Sequence, residues 1–126
     1  MDLKDYFDNT QGIGVFATAD AEGKVDLAVY SRPHVMDTNN VAFVMRDRLT
    51  HHNLQSNPHA AYLFKEAGDG YVGKRLYLTK TGEEQDTELA YALRRRKYPK
   101  EIEGPLFLVF FRIDQILPLI GPGKEA

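Results

Sequence analysis

The sequence of 126 residues contains no cysteine. Disulfide bonds, thiolate nucleophiles, iron–sulfur clusters and cysteine-ligated zinc are therefore excluded for this chain. It also contains no apolar run near the roughly 20 residues that a membrane-spanning helix needs. The first five residues, MDLKD, are too acidic and mixed for a signal peptide. These absences make a cytoplasmic protein without a membrane partner the expectation.

A basic excess is absent as well, since 16 lysines and arginines face 18 aspartates and glutamates, for a net charge of −2. Nucleic-acid-binding domains usually carry the opposite balance, so nucleic acid is not the expected partner. The strongest basic run is Arg94-Arg95-Arg96-Lys97. Acidic residues crowd the start of the same segment, 83–98, and this charge order matches the dipole of a helix. We interpret the basic run as the solvated face of that helix.

Short strand-like runs make up most of the chain. Alternating polarity on both sides of the turn Asp20-Ala21-Glu22-Gly23 predicts a β-hairpin. The apolar run LFLVFFRI is hydrophobic on both faces, which indicates a central or interface strand whose phenylalanines form core or dimer contacts. The predicted strands are 13–17, 25–30, 41–45, 60–64, 75–79 and 106–113, and the predicted helices are 2–9, a two-turn helix from Thr50, and 83–98.

This order of elements has no regular strand–helix alternation and no internal repeat. It predicts a mostly β protein, a six-stranded antiparallel β-barrel with inserted helices. A hydrophobic fraction of 43% is ordinary for a soluble globular protein. We expect one domain over residues 1–126, with a flexible tail at 121–126.

The segment RDRLTHHNLQSNP, residues 46–58, contains residues typical of a helix start together with two arginines that a helix start does not require. Thr50 is suited to cap the helix, with Leu49 outside it and Leu54 at the spacing of a hydrophobic staple. Neither cap nor staple accounts for Arg46 and Arg48, because cations face the positive end of the helix dipole there.

Two interpretations of these arginines stay open. Asp47 between them could neutralise the turn without any ligand. Alternatively, the guanidinium groups, the Thr50 hydroxyl and the free helix amides bind an anion such as a phosphate.

The whole arrangement resembles a known family. Its order is the strand GIGVFATA, the turn DAEGK, the strand VDLAVYSRPHV, and then VAFVMRDRLTHHNLQSNPHAAYLF. This order and spacing are similar to those of the pyridoxamine 5′-phosphate oxidase-like family of FMN-binding split β-barrels, over residues 10–80 and most clearly over 40–64. The resemblance implies a homodimeric split barrel with FMN in a groove between subunits. It also implies an oxidoreductase that passes electrons from a reduced nicotinamide, NAD(P)H, to a small acceptor.

The family's cofactor contacts carry over to three places in the chain. Backbone groups of the second strand would meet the flavin ring, and the third-strand end with the following helix start would hold the phosphate. Members that oxidise pyridoxamine phosphate usually have an Arg-Lys pair at the Leu49-Thr50 position, a lysine near Pro33 and a C-terminal extension, so that reaction is not expected here. The residues implied to bind the cofactor are Val29, Tyr30, Ser31, Arg32, Val44, Met45, Arg46, Arg48, Leu49, Thr50 and Asn53.

The four histidines keep an alternative open. His34 follows Pro33, which interrupts the strand, and could donate a proton or simply face solvent. His51 and His52 point about 100° apart on a helix, which suits a single metal ion poorly. Together with His59 they leave room for a non-enzymatic module of the same fold that holds haem, the deazaflavin F420 or a protein partner.

Overall fold

One antiparallel sheet of seven strands is the framework of the protein. The computed structural model describes residues 2–94 and 104–122, to which every structural statement below refers. The elements are α1 (Leu3–Asn9), β1 (Gly12–Ala19), β2 (Val25–Tyr30), β3 (His34–Val35), β4 (Asn40–Arg46), α2 (Leu49–Ser56), β5 (His59–Glu66), β6 (Gly73–Gln85), α3 (Glu88–Leu93) and β7 (Leu106–Pro118).

The strands follow the order β2-β1-β5-β6-β7-β4-β3, so that β2 and β3 are the two edges of an open sheet. The sheet curls strongly, because Phe16 of β1 and Phe43 of β4 are not on neighbouring strands yet have ring centroids 4.8 Å apart. The predicted mostly β, antiparallel split barrel is confirmed. It has seven strands rather than six because Pro33 ends one pairing and His34–Val35 begins a separate short strand beside β4.

Aromatic rings fill the inside of the curl. Tyr62 of β5 is fully buried at the centre, in edge or tilted contact with Phe7, Phe16 and Phe43. Its hydroxyl donates to the carbonyl oxygens of Tyr30 at 3.3 Å and of Ser31 at 3.2 Å. The core is thereby connected directly to the end of β2.

The hairpin predicted from the first turn is confirmed. Asp20 Oδ1 accepts hydrogen bonds from the amides of Glu22 and Lys24, each at 2.9 Å. Gly23 has a φ of +87°, a left-handed conformation that glycine adopts without steric penalty. Polar side-chain acceptors and one glycine thus reverse the chain between β1 and β2.

The predicted N-terminal helix is confirmed as α1, which is capped by Asp2 through a 2.7 Å hydrogen bond from the amide of Lys4. Tyr6 and Phe7 are its buried residues, as the three-and-four spacing predicts. Neither α1 nor any other helix in the described ranges has the length and apolar character to cross a membrane.

The predicted helix over 83–98 is wrong in its first part. Residues Glu83, Glu84 and Gln85 extend β6 and pair with β7 opposite Val109, Leu108 and Phe107. Backbone pairing along a 13-residue strand, with two irregularities that let it bend, outweighs the helical charge pattern. Among the described residues of this segment, Glu88–Leu93 are the helical ones. Residues 95–98 of the predicted helix and 123–126 of the predicted tail lie outside the described residues.

Candidate functional site

A cleft of about 290 Å³ lies between β2, β4 and the first turn of α2. The lining mixes apolar side chains from the strands with arginines from the strand ends, and contains Asp26, Ala28, His34, Phe43, Arg94 and Leu106 besides residues predicted from the sequence. Ten of the eleven predicted cofactor-binding residues are in this lining: Val29, Tyr30, Ser31, Arg32, Val44, Met45, Arg46, Arg48, Leu49 and Thr50.

Asn53 is the predicted residue that the structure places elsewhere. It is buried on α2, where its side-chain amide donates to the hydroxyl oxygen of Thr18 on β1 at 3.0 Å. This buried hydrogen bond attaches α2 to the sheet. Asn53 therefore supports the cleft from behind rather than lining it.

Two arginines mark the end of the cleft where β4 meets α2. Arg46 Nη1 donates to the carbonyl oxygen of Gly104 at 3.0 Å, which holds this side chain against the chain entering β7. Arg48 is exposed, and its amide donates to the carbonyl oxygen of Arg46 at 2.9 Å in a tight turn. Asp47 Oδ1 lies 3.8 Å from His51 Nδ1, on the helix that follows. Neutralisation of the arginines by Asp47 and binding of an anion both stay open interpretations of this turn.

The start of α2 differs from the predicted one. The N-cap is Arg48, in extended conformation and without a side-chain capping bond, while Leu49 is the first helical residue. Thr50 is buried in the first turn and lines the cleft instead of capping, and Leu49 is too exposed to complete a staple with buried Leu54. The first helical hydrogen bond is from His52 N to Arg48 O, so the preceding amides have no intrahelical acceptor. Thr50 and the first turn of α2 lie at the end of the cleft that Arg46 and Arg48 line.

A partly buried polar network around His51 holds this first turn against the sheet. His51 stacks on Phe107 with 3.7 Å between ring centroids, and its Nε2 lies 3.1 Å from both carboxylate oxygens of Glu83. Lys80 Nζ forms an ion pair with Glu83 at 2.8 Å. Burial raises the pKa of Glu83, but the hydrogen bonds from Lys80, Gln55 and His51 outweigh burial and hold that pKa below its ordinary value. His51 thus connects α2 to β6 and β7.

The other histidines are dispersed. His52 and His59 are exposed, whereas His34 is half-buried and lines the cleft. Within residues 2–94 and 104–122, no group of three or more histidine, aspartate or glutamate side chains could hold a metal ion.

Arg32 connects the cleft to α1. Its Nη1 donates to the carbonyl oxygens of Phe7 at 2.7 Å and of Thr10 at 3.0 Å. These two carbonyls end the helix, so the guanidinium caps the C-terminus of α1 while the rest of the side chain lines the cleft. The sequence had indicated Arg32 as a ligand contact, and the structure adds this structural role.

Arg94 is a lining residue that the sequence interpretation missed. It was expected on a solvated helix face, but it is half-buried at the end of α3 with its Cζ 5.2 Å from the centroid of the Tyr91 ring. The sequence did contain a sign of this position. Arg94 directly follows Leu93, and the helix that it ends packs through Ala90 near the start of β7. The basic run that Arg94 begins led instead to the prediction of a solvated face.

Comparison with known proteins identifies the architecture. No family model and no curated protein matches the chain. An FMN-binding protein from Syntrophomonas wolfei has a similar structure, with a TM-score of 0.76, 16% identity, and coverage of 96% of this chain and 86% of that one. A pyridoxamine 5′-phosphate oxidase-like protein from Lactobacillus delbrueckii gives a TM-score of 0.63, 18% identity, and coverage of 93% and 92%. An F420 reductase gives a TM-score of 0.65, 16% identity, and coverage of 83% and 88%.

Proposed function

From the split-barrel fold that the chain shares with pyridoxamine 5′-phosphate oxidase-like proteins, we propose that it is an FMN-binding flavoprotein. Its proposed activity is an oxidoreductase reaction that takes electrons from a reduced nicotinamide and delivers them to a small acceptor. The oxidation of pyridoxamine phosphate itself is not part of the proposal, because Leu49 and Thr50 stand where an Arg-Lys pair is usual.

One observation carries the proposal: a single cleft has an apolar wall and a cationic end. FMN has the matching two parts, a flat ring system and a phosphate. Val29, Tyr30, Val44 and Met45 would contact the ring. The arginine end of the cleft, with the Thr50 hydroxyl and the free amides of α2, would hold the phosphate, since guanidinium groups and helix N-termini are strong phosphate donors.

The cofactor, when bound, supplies the hydride and electron transfer, and the protein supplies its position and surroundings. The cleft walls on β2 and β4 would exclude water from one side of the ring. His34 is the imidazole that lines the cleft in the described chain, so it would be the side chain to hold a proton beside a bound ring.

The outer face of β2 supports a homodimer. Val25, Leu27 and Val29 are 82%, 70% and 58% exposed, and the register places them beside Ala19, Ala17 and Val15 of β1. Contiguous apolar patches of this kind mark interaction sites. We propose that a second copy covers this face, because a two-fold interface is self-complementary and β2 also forms one wall of the cleft.

The test is a comparison of FMN with riboflavin, which lacks the phosphate. FMN should give visible flavin bands that co-elute with the protein as a dimer. Arg46→Ala or Thr50→Ala should weaken FMN binding by roughly tenfold to a hundredfold, the value of a lost hydrogen bond to a charged group, with little effect on riboflavin. Arg112→Gln is the matched control, because Arg112 pairs with Asp114 outside the cleft. Equal losses for both flavins would contradict the phosphate assignment.

F420 is the second candidate, because the similar structures include an F420 reductase. F420 is also a flat ring system with an anionic side chain, so the same cleft would suit it. A competition experiment, in which F420 and FMN are added together to the purified protein, shows which of the two cofactors the cleft prefers. The same spectrum tests the haem alternative, for which an intense Soret band replaces the flavin bands and His34 becomes the first residue to substitute.

A further inference from the structure

We propose that Arg94 is an additional anion-binding residue, which brings a further guanidinium group to the phosphate of the bound cofactor. The inference rests on the proposed function, and it assigns to α3 a part in the site that the sequence did not indicate. Its support is a buried donor, a position at the Arg46 end of the cleft and the charge of the cleft.

The Nε atom of Arg94 is the first observation. Among the side-chain nitrogen and oxygen atoms of the described residues that are inaccessible to solvent, it is the one without a hydrogen-bond partner. Buried polar groups are nearly always satisfied in folded proteins, by protein, by ordered water or by a bound ligand or ion. Because the same side chain lines the cleft, an anion in the cleft is a suitable partner for this donor.

The neighbours of Arg94 indicate at which end of the cleft it lies. Its guanidinium lies over the Tyr91 ring at 5.2 Å, and the Tyr91 hydroxyl lies 3.2 Å from Asp86 Oδ1, to which it donates. The same oxygen accepts the amide of Leu106 at 3.0 Å. Leu106 pairs in register with Arg46 on β4. Arg94 therefore belongs to the Arg46 end of the cleft, where the phosphate is proposed to bind, and not to the Arg32 end.

The charge balance of the cleft agrees with this assignment. Four arginines line it, and Asp26 is the carboxylate among the described lining residues. A phosphate group carries a charge of roughly −1.5 to −2 near neutral pH. One phosphate beside Arg46, Arg48 and Arg94 would offset roughly half to two-thirds of their combined charge, which an uncharged ligand would not do. Asp86, which interacts electrostatically with Arg46, adds a negative charge at the same end.

The experiment measures FMN and riboflavin affinities of the dimer by flavin fluorescence, for wild type and for Arg94→Gln, Arg94→Lys and Arg112→Gln. We expect Arg94→Gln to weaken FMN binding by roughly tenfold to a hundredfold and to leave riboflavin binding within a factor of two. Arg94→Lys should recover part of the loss, because the charge returns without the Nε donor. Arg112→Gln should match wild type. A thermal melt of each variant confirms that the folded protein is being compared.

Each other result overturns the inference in a distinguishable way. Equal loss of FMN and riboflavin affinity in Arg94→Gln would show a merely structural role through Tyr91. Unchanged FMN affinity in Arg94→Gln, with weaker binding in Arg46→Ala, would remove Arg94 from the site and leave the proposed function standing. Wild type that binds neither flavin would remove both.

Discussion

Replacing Gly14 with alanine tests whether the packing of the aromatic core also shapes the cleft. A Cβ atom at Gly14 would lie 1.9 Å from the hydroxyl oxygen of Tyr62 and 2.7 Å from the carbonyl oxygen of Tyr30. Contacts this short are sterically forbidden, so either the Tyr62 ring or β2 must move. Tyr62 has little room to do so, because it is fully buried among other rings.

The magnitude follows from two contributions. Overpacking of a well-packed core costs about 1–3 kcal/mol. Displacing the Tyr62 hydroxyl from the carbonyls of Tyr30 and Ser31 leaves buried polar groups unsatisfied, which costs about 1–3 kcal/mol more. A chain of this length loses about 4 °C of Tm for each kcal/mol. The substitution should therefore lower Tm by about 8–24 °C.

The assay is thermal unfolding followed by circular dichroism, with Gly82→Ala as the matched control. A Cβ at Gly82 meets no atom within 4 Å, so the control should unfold within about 2 °C of wild type. Gly14→Ala should also weaken both FMN and riboflavin, because Tyr30 and Ser31 line the cleft. If the two glycine variants unfolded at the same temperature, the close approach of β1 to Tyr62 would not be the constraint that we describe.

Three further predictions follow from other parts of the molecule. Leu27→Asp should dissociate the proposed dimer in gel filtration, because burying a leucine that is 70% exposed is worth about 1–2 kcal/mol and a two-fold interface contains this residue twice, so that the dimer Kd rises roughly 30- to 1,000-fold. Wild type that elutes as a monomer at all concentrations would refute this prediction. The folded-state pKa of Glu83 lies below its ordinary 4.5, so the stability that its carboxylate adds to the fold is fully present above that pH and is lost as the pH falls through the folded-state value. The Tm difference between wild type and Glu83→Gln should therefore narrow below pH 4.5, and a difference that stays constant would argue against the ion pair. Asp86 has a φ of +55° and accepts a hydrogen bond from the amide of Leu106. Asp86→Asn should therefore melt closer to wild type than Asp86→Ala, which loses the acceptor and suits the left-handed backbone poorly, and the reverse order of Tm values would contradict this account.

Short sequence patterns correctly predicted the elements that are stabilised by interactions between residues close together in the chain. The turn at Asp20 to Gly23 contains its own acceptors and its own left-handed glycine, so the hairpin can be recognised from a few residues. The same is true of α1, for which Asp2 is the cap and Tyr6 and Phe7 form the buried side. The order of these elements was sufficient to indicate the fold.

Elements that depend on distant partners were predicted less well. Glu83 and Glu84 have a helical charge pattern but lie opposite Val109 and Leu108, which are 26 and 24 residues further along the chain, and no local pattern reveals this pairing. Thr50 has the chemistry of a cap, yet packing against the cleft places it inside the first turn. The position of Arg94 depends on how α3 packs against β7, so a basic run alone could not place it at the site.

The hydrogen bonds of Arg32 have a consequence for slow motions of the molecule. A seven-residue helix is unstable alone, so α1 stays folded only while Tyr6 and Phe7 are buried and its last carbonyls are occupied. Local opening of α1 would release the two Arg32 acceptors at Phe7 and Thr10 together. Amide hydrogen exchange in α1 should therefore slow when a ligand fills the cleft, which would make the N-terminus a reporter of occupancy at a site it does not itself line.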